Sequence, residues 1–87
     1  MKIKSGFVVR SVGGENIAVP VGERAKTFKG MIKLNETGHY LWKLFSEENT
    51  EDEAVKALCA EYDVDESIAR EDVKKFMDDL LNNGFAE

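Results

Sequence analysis

The sequence predicts a small α+β fold, a three-stranded antiparallel β-sheet at the N-terminal end followed by a three-helix bundle. Three observations carry that expectation. Two runs of β-forming residues flank a Gly-Gly pair near the start of the chain. A third apolar run, ending at Leu34, passes into a helix-start signal at Asn35 with almost no linker. Beyond Asn35, apolar residues recur at spacings of three and four through the rest of the chain.

The first strand is Phe7-Val-Val-Arg-Ser-Val12 and the second Glu15-Asn-Ile-Ala-Val-Pro20, joined by Gly13-Gly14. A tight primed turn needs positive φ at both central positions, and two glycines supply it without steric cost. Pro20 has no N–H to give to a ladder, so the second strand should end there. Residues 21–29 show no period and read as a connection. The third strand should cover residues 30–34. Asn35 then caps a helix that buries Gly38, Leu41, Trp42 and Phe45 on one face. Ser46-Glu-Glu-Asn49 breaks that helix, and Thr50 with Glu53 forms a capping box for the next. The second helix carries Ala54, Val55, Leu58, Cys59 and Tyr62 on its inner stripe. Asp63-Val-Asp65 turns the chain, with Asp65 as cap of a third helix that runs to Asn83 and stops at Gly84. Its core stripe is Ala69, Val73, Phe76 and Leu80, and Ile68, Met77 and Leu81 widen it beyond what one small core needs. Three strands followed by such a bundle suit a winged-helix-like arrangement.

Eighty-seven residues, 43% hydrophobic and 33% charged, make a single globular domain over residues 1–87. A chain of this length buries only about 60–65% of the surface its unfolded form exposes. No apolar run near Met1 approaches the length of a secretory or membrane-spanning segment, so the cytoplasm is expected and no membrane partner is. Cys59 is the sole cysteine, which excludes an internal disulfide. The net charge of −5 is unevenly placed. Residues 1–34 carry seven Lys or Arg against two acids, +5, and residues 35–87 carry five against fifteen, −10.

Catalysis finds no support in this pattern. One His and one Cys, twenty residues apart on different helices, do not make a metal site, and no other cofactor is implied. His39 lacks an oriented partner and a nucleophile. The carboxylates Glu51, Asp52, Glu53, Asp78 and Asp79 fit a solvated face better than a catalytic pair. Gly13-Gly14 precedes a strand, not the helix that a phosphate loop requires. Binding functions remain. A DNA reader would place its third helix in the major groove, yet that helix carries Asp65, Glu66, Glu71, Asp72, Asp78 and Asp79 against Arg70, Lys74 and Lys75, the wrong sign for nucleic acid. A peptide reader instead accepts an added strand at an open sheet edge, with a neighbouring helix supplying pockets. A winged-helix DNA-binding domain is the alternative, a purely structural oligomerisation module the third reading, and a homodimer stays open.

Five segments in order, Gly6-Phe-Val-Val-Arg10, Leu34-Asn-Glu-Thr-Gly-x-x-Leu-Trp42, Tyr62-Asp-Val-Asp65, Asp72-Val-x-x-Phe76 and Leu80-x-x-x-Gly84-Phe85, resemble the PqqD family over essentially the whole chain. The resemblance implies a peptide chaperone, or RiPP recognition element, without enzymatic activity. Such a protein binds the leader of a ribosomally made precursor peptide and presents the core to a modifying enzyme, often of the radical SAM type. It also implies that the leader pairs as an extra strand with the third strand, in the cleft formed with the third helix. Carried onto this chain, the binding residues would be Gly30, Met31, Ile32, Lys33 and Leu34. From the helix, Arg70, Val73, Lys74 and Met77 would join them, chosen for their three- and four-residue spacing. Lys33, Arg70 and Lys74 would then favour an acidic leader.

Overall fold

A computed structural model describes residues 1–87. Gly13 and Gly14 have φ of +58° and +82°, the backbone of a two-residue primed turn. It joins β1 (Phe7–Val12) to β2 (Glu15–Pro20) in antiparallel register, with Val12 opposite Glu15 and Phe7 opposite Pro20. β2 pairs in turn with β3 (Ile32–Leu34), Asn16 opposite Leu34 and Ala18 opposite Ile32. The order β1-β2-β3 leaves β3 at an edge.

Two local expectations between β2 and β3 are corrected. Residues 21–29 hold a one-turn helix, α1 (Arg24–Thr27), where a bare connection is expected. No side chain caps it. Arg24 holds it from a distance instead: its Nε donates to the Ser5 carbonyl at 2.7 Å, and its guanidinium lies 5.2 Å from the centre of the Phe7 ring. The third strand also begins late, leaving Gly30 and Met31 outside it. Phe28 turns inward there, and a Cβ on Gly30 would stand 2.9 Å from its ring.

The longer helices follow the sequence signals. α2 (Glu36–Phe45) starts where the Gly38 N–H donates to Asn35 Oδ1 at 2.7 Å, and it buries Gly38, Leu41, Trp42 and Phe45. α3 (Glu51–Glu61) carries both halves of its capping box: the Glu53 N–H donates to Thr50 Oγ1 at 3.1 Å, and the Thr50 N–H to Glu53 Oε1 at 2.8 Å. Ala54, Val55 and Leu58 are buried, with Cys59 and Tyr62 half-buried at the margin of the stripe. α4 (Glu66–Asn82) ends before Gly84, whose φ is +80°. Asp65 stands at its N-cap, but the side chain makes no capping bond. Ala69, Val73 and Leu80 are buried, whereas Phe76 and Met77 are half-buried and Ile68 and Leu81 exposed. No helix is long and apolar enough to cross a membrane.

One cluster of fourteen buried apolar residues forms the core. At its base Phe7, Phe28, Trp42 and Phe85 pack ring to ring, with Phe85 centred 4.8 Å from Phe7, 5.0 Å from Phe28 and 5.8 Å from Trp42. The chain start fastens this corner: the Lys4 N–H donates to the Phe85 carbonyl at 2.9 Å and the Ile3 N–H to the Phe45 carbonyl at 2.8 Å. Helices therefore cover one face of the sheet and leave the far side of β3 open.

Candidate functional site

The hairpin determines which backbone groups β3 offers to solvent. The residues that close a two-residue primed turn exchange both of their backbone hydrogen bonds, and the pairing then alternates along an antiparallel ladder. Val12 and Glu15 close the turn. Glu15, Ile17 and Val19 thus turn their N–H and C=O toward β1, while Asn16 and Ala18 turn theirs toward β3. Their partners Leu34 and Ile32 bond back into the sheet. Lys33, between them, points its N–H and C=O outward from the edge strand. Side chains alternate with the same period, so Ile32 and Leu34 face the core side and Lys33 the other.

A cleft of about 920 Å³ runs beside this edge. Ile32, Lys33 and Leu34 form one wall, and Asp72, Lys75, Phe76 and Asp79 of α4 form the other. The first turn of α2, together with Tyr40 and Tyr62, closes the end. The four α4 residues are spaced three, four and seven apart, so they share one helix face. Gly38 makes the junction close: a Cβ there would meet Asn35 Oδ1 at 2.9 Å, Phe76 Cε1 at 3.6 Å and Leu34 Cδ2 at 3.8 Å. Its bare Cα lets the N-cap form while Leu34 and Phe76 converge over the helix start.

Charges around the cleft are of both signs, Lys33, Lys43 and Lys75 against Glu15, Glu36, Asp72 and Asp79. Several are already matched, with Lys33 Nζ 3.3 Å from Glu15 and Lys75 Nζ 3.2 Å from Asp79. The rings of Tyr40 and Tyr62 meet edge to face at 5.7 Å. Burial pushes the Tyr62 phenol above its ordinary range, and the nearby Glu36 carboxylate adds to the shift. No group of three or more His, Cys, Asp and Glu side chains converges as a metal site.

Ile32, Lys33 and Leu34 therefore lie at the cleft, as the sequence suggests. Gly30 and Met31 precede β3 and are exposed, Met31 at 66%. The four residues expected from the helix do not line the cleft. Val73 is wholly buried among the core residues, and Met77 packs against them. Arg70 turns toward α3, where Nη1 lies 2.6 Å from Glu51 Oε2 and 2.9 Å from Asp52 Oδ1, and Nη2 lies 3.6 Å from Glu66. Those carboxylates, Glu51 first and Asp52 second, hold the Arg70 guanidinium still further into its charged form. Lys74 is exposed outside the cleft. The wall is formed by residues one or two positions away; the sequence marked Phe76 as a core residue and Asp72, Lys75 and Asp79 only as charges of the third helix. The expectation of a basic cleft is lost with Arg70 and Lys74.

A family model described as coenzyme PQQ synthesis protein D (PqqD) matches residues 16–86. No curated protein matches the chain. Among solved structures, TbiB1 in complex with the TbiA(beta) leader peptide is 29% identical, with a TM-score of 0.77. That match covers 100% of this chain and 95% of that one.

Proposed function

This chain belongs to the PqqD family, and from that premise we propose that it is a non-catalytic peptide-recognition domain for the leader of a ribosomally made precursor. The leader adds as a strand to β3 and is presented to a peptide-modifying enzyme of the radical SAM type in the cytoplasm. The observation that carries the reading is the outward-facing backbone of Lys33 on an edge strand, flanked by a cleft with Phe76 on its far wall. Main-chain hydrogen bonds at such an edge supply affinity whatever the sequence of the added strand, and side-chain pockets supply the choice of partner. A structural relative solved with a leader peptide supports the same use of this fold. In this reading the binding residues are Gly30, Met31, Ile32, Lys33 and Leu34 on the strand side. On the helix side the geometry favours Asp72, Lys75, Phe76 and Asp79 over Arg70, Val73, Lys74 and Met77.

The test is to identify a short precursor among the reading frames neighbouring its gene, titrate the labelled protein with its leader and follow the amide shifts. Shifts should cluster on residues 31–35 and on the cleft face of α4; shifts confined to α3 would refute the docking mode. Lys33→Pro sharpens the test. It removes an N–H that points away from the sheet, so the protein's own ladder survives, since proline is tolerated where an edge donor faces solvent. Leader binding should weaken at least tenfold, about 1.4 kcal/mol, with little change in melting temperature. Ile32→Pro would instead remove a donor to β2 and damage the sheet itself.

A further inference from the structure

The central strand is paired further on one side than on the other. Toward β1 the pairing of β2 runs past Phe7 and Pro20 to the next residues, where the Val21 N–H donates to the Gly6 carbonyl at 2.8 Å. Toward β3 it stops at Ala18 and Ile32. The register would next set Met31 beside Val19 and Gly30 beside Pro20, yet Gly30 and Met31 make no backbone hydrogen bond. Parity explains where the ladder ends. Asn16 and Ala18 turn their N–H and C=O toward β3, and Pro20 has the same parity. It has no N–H for the Gly30 carbonyl, and its ring stands where that hydrogen would be. On the other side nothing is lost, because the opposed Phe7 and Pro20 exchange no bonds there. Lys29, Gly30 and Met31 are exposed, held by the packing of Phe28 at one end and by the β3 ladder at the other. Met31 shares the parity of Lys33, so in a continued strand its N–H and C=O also point outward from the edge.

We propose that Pro20 is a positioning residue that keeps the leader edge short in the empty protein, and that the leader lengthens β3 through Gly30 and Met31 as it docks. The proposal rests on the peptide-binding reading above. Within the β3 ladder only Lys33 offers an outward N–H and C=O, two hydrogen bonds for an added strand. Continuing the strand brings the same two groups at Met31 and doubles that number. A docked strand supplies what β2 cannot. It bonds Met31 from the open side, so the segment is held in line without the donor that Pro20 lacks, and the Gly30 N–H can reach the Pro20 carbonyl. The segment is short and fixed at both ends, so ordering it costs little and falls within the binding step. The restraint on the empty protein has its own physical reason. A long unpaired edge accepts any extended chain, and proline and short strands are devices that blunt it. Pro20 blunts β3 from the neighbouring strand and leaves the donors of β3 itself intact for the leader.

Pro20→Val and Met31→Pro test the proposal from opposite directions. The first restores a donor facing Gly30; the second removes an N–H that makes no backbone bond in the empty protein and that only a docked strand would use. Both are compared with the parent by circular dichroism and thermal melting, and Pro20→Ala replaces the first if its fold is disturbed. Leader affinity is measured by fluorescence anisotropy with the leader of a precursor identified among the neighbouring reading frames, and amide hydrogen exchange is followed with and without that leader. In the parent, exchange at Met31 should slow together with Lys33 when leader is added. Pro20→Val should show protection at its new amide before any leader is present and should bind roughly threefold more tightly or better, because its edge is already ordered. Met31→Pro should bind roughly threefold more weakly or worse at an unchanged melting temperature. A leader that protects Lys33 while Met31 exchanges freely, or parental affinity in either variant, would overturn the lengthening of β3 alone. A parent that binds no leader, or that gains protection at neither residue on binding, would overturn the peptide-binding reading itself.

Discussion

One oxygen, Asn35 Oδ1, joins the edge strand to the helix that follows it. It accepts the Gly38 N–H at 2.7 Å immediately after β3 ends at Leu34. Replacing an N-cap of this kind by alanine typically costs about 1 kcal/mol, so Asn35→Ala should lower the unfolding free energy by that much, read as a lower urea midpoint with the slope unchanged. Phe85 works on a larger scale. It is 1% exposed and touches three other rings, and truncating such a residue costs about 3–5 kcal/mol. Small domains hold only about 5–15 kcal/mol in total, so Phe85→Ala should leave the chain largely unfolded at 37 °C, seen as loss of dispersion in its amide spectrum. Both residues stand out in the sequence, Asn35 by its place before an apolar stripe and Phe85 as part of the family resemblance. The burial of Phe85 beneath three other rings is a tertiary fact.

On α4, two neighbouring faces have different work. Arg70 ties the helix to the first turn of α3 through Glu51 and Asp52, while Asp72, Lys75, Phe76 and Asp79 look into the cleft. Phe76→Ser should therefore weaken leader binding at least tenfold, whereas Lys74→Glu should leave it within twofold; anisotropy titrations of the two variants compare them directly. Because the cleft carries both signs, with Lys33 and Lys75 already paired, leader affinity should change little between 50 and 300 mM salt, apart from roughly 0–1 kcal/mol for any exposed pair formed on binding. A steep loss of affinity with salt would restore the one-sign cleft that sequence alone suggests. Spacing marked α4 as amphipathic, but spacing cannot say which flank of a stripe faces a strand forty residues earlier.

Across the whole molecule, charge and topology divide in the same place. The sheet half is basic and the helical half acidic, and the helix a DNA reader would insert into a groove is the acidic one. Duplex DNA should not be retained selectively at physiological salt, which a mobility shift at 150 mM checks; weak association at low salt would be only the nonspecific phosphate term. Signals acting within four residues were legible from sequence alone: the Gly13-Gly14 turn, the Asn35 and Thr50 caps, the stop at Gly84 and the stripes that α2 and α3 bury. The turn, the caps and the stop are decided by backbone sterics or by a hydrogen bond to a near neighbour, and the stripes by the helical period of apolar residues, so the local sequence is sufficient. What the tertiary structure alone decided lies between distant segments: the α1 turn held by Arg24 on Ser5 and Phe7, Arg70 drawn to α3, and the α4 face that looks into the cleft. These depend on how Ala69, Val73 and Leu80 seat the helix in the shared core, because packing sets the rotation of a helix against a sheet and a periodic pattern leaves that rotation open by a residue or two.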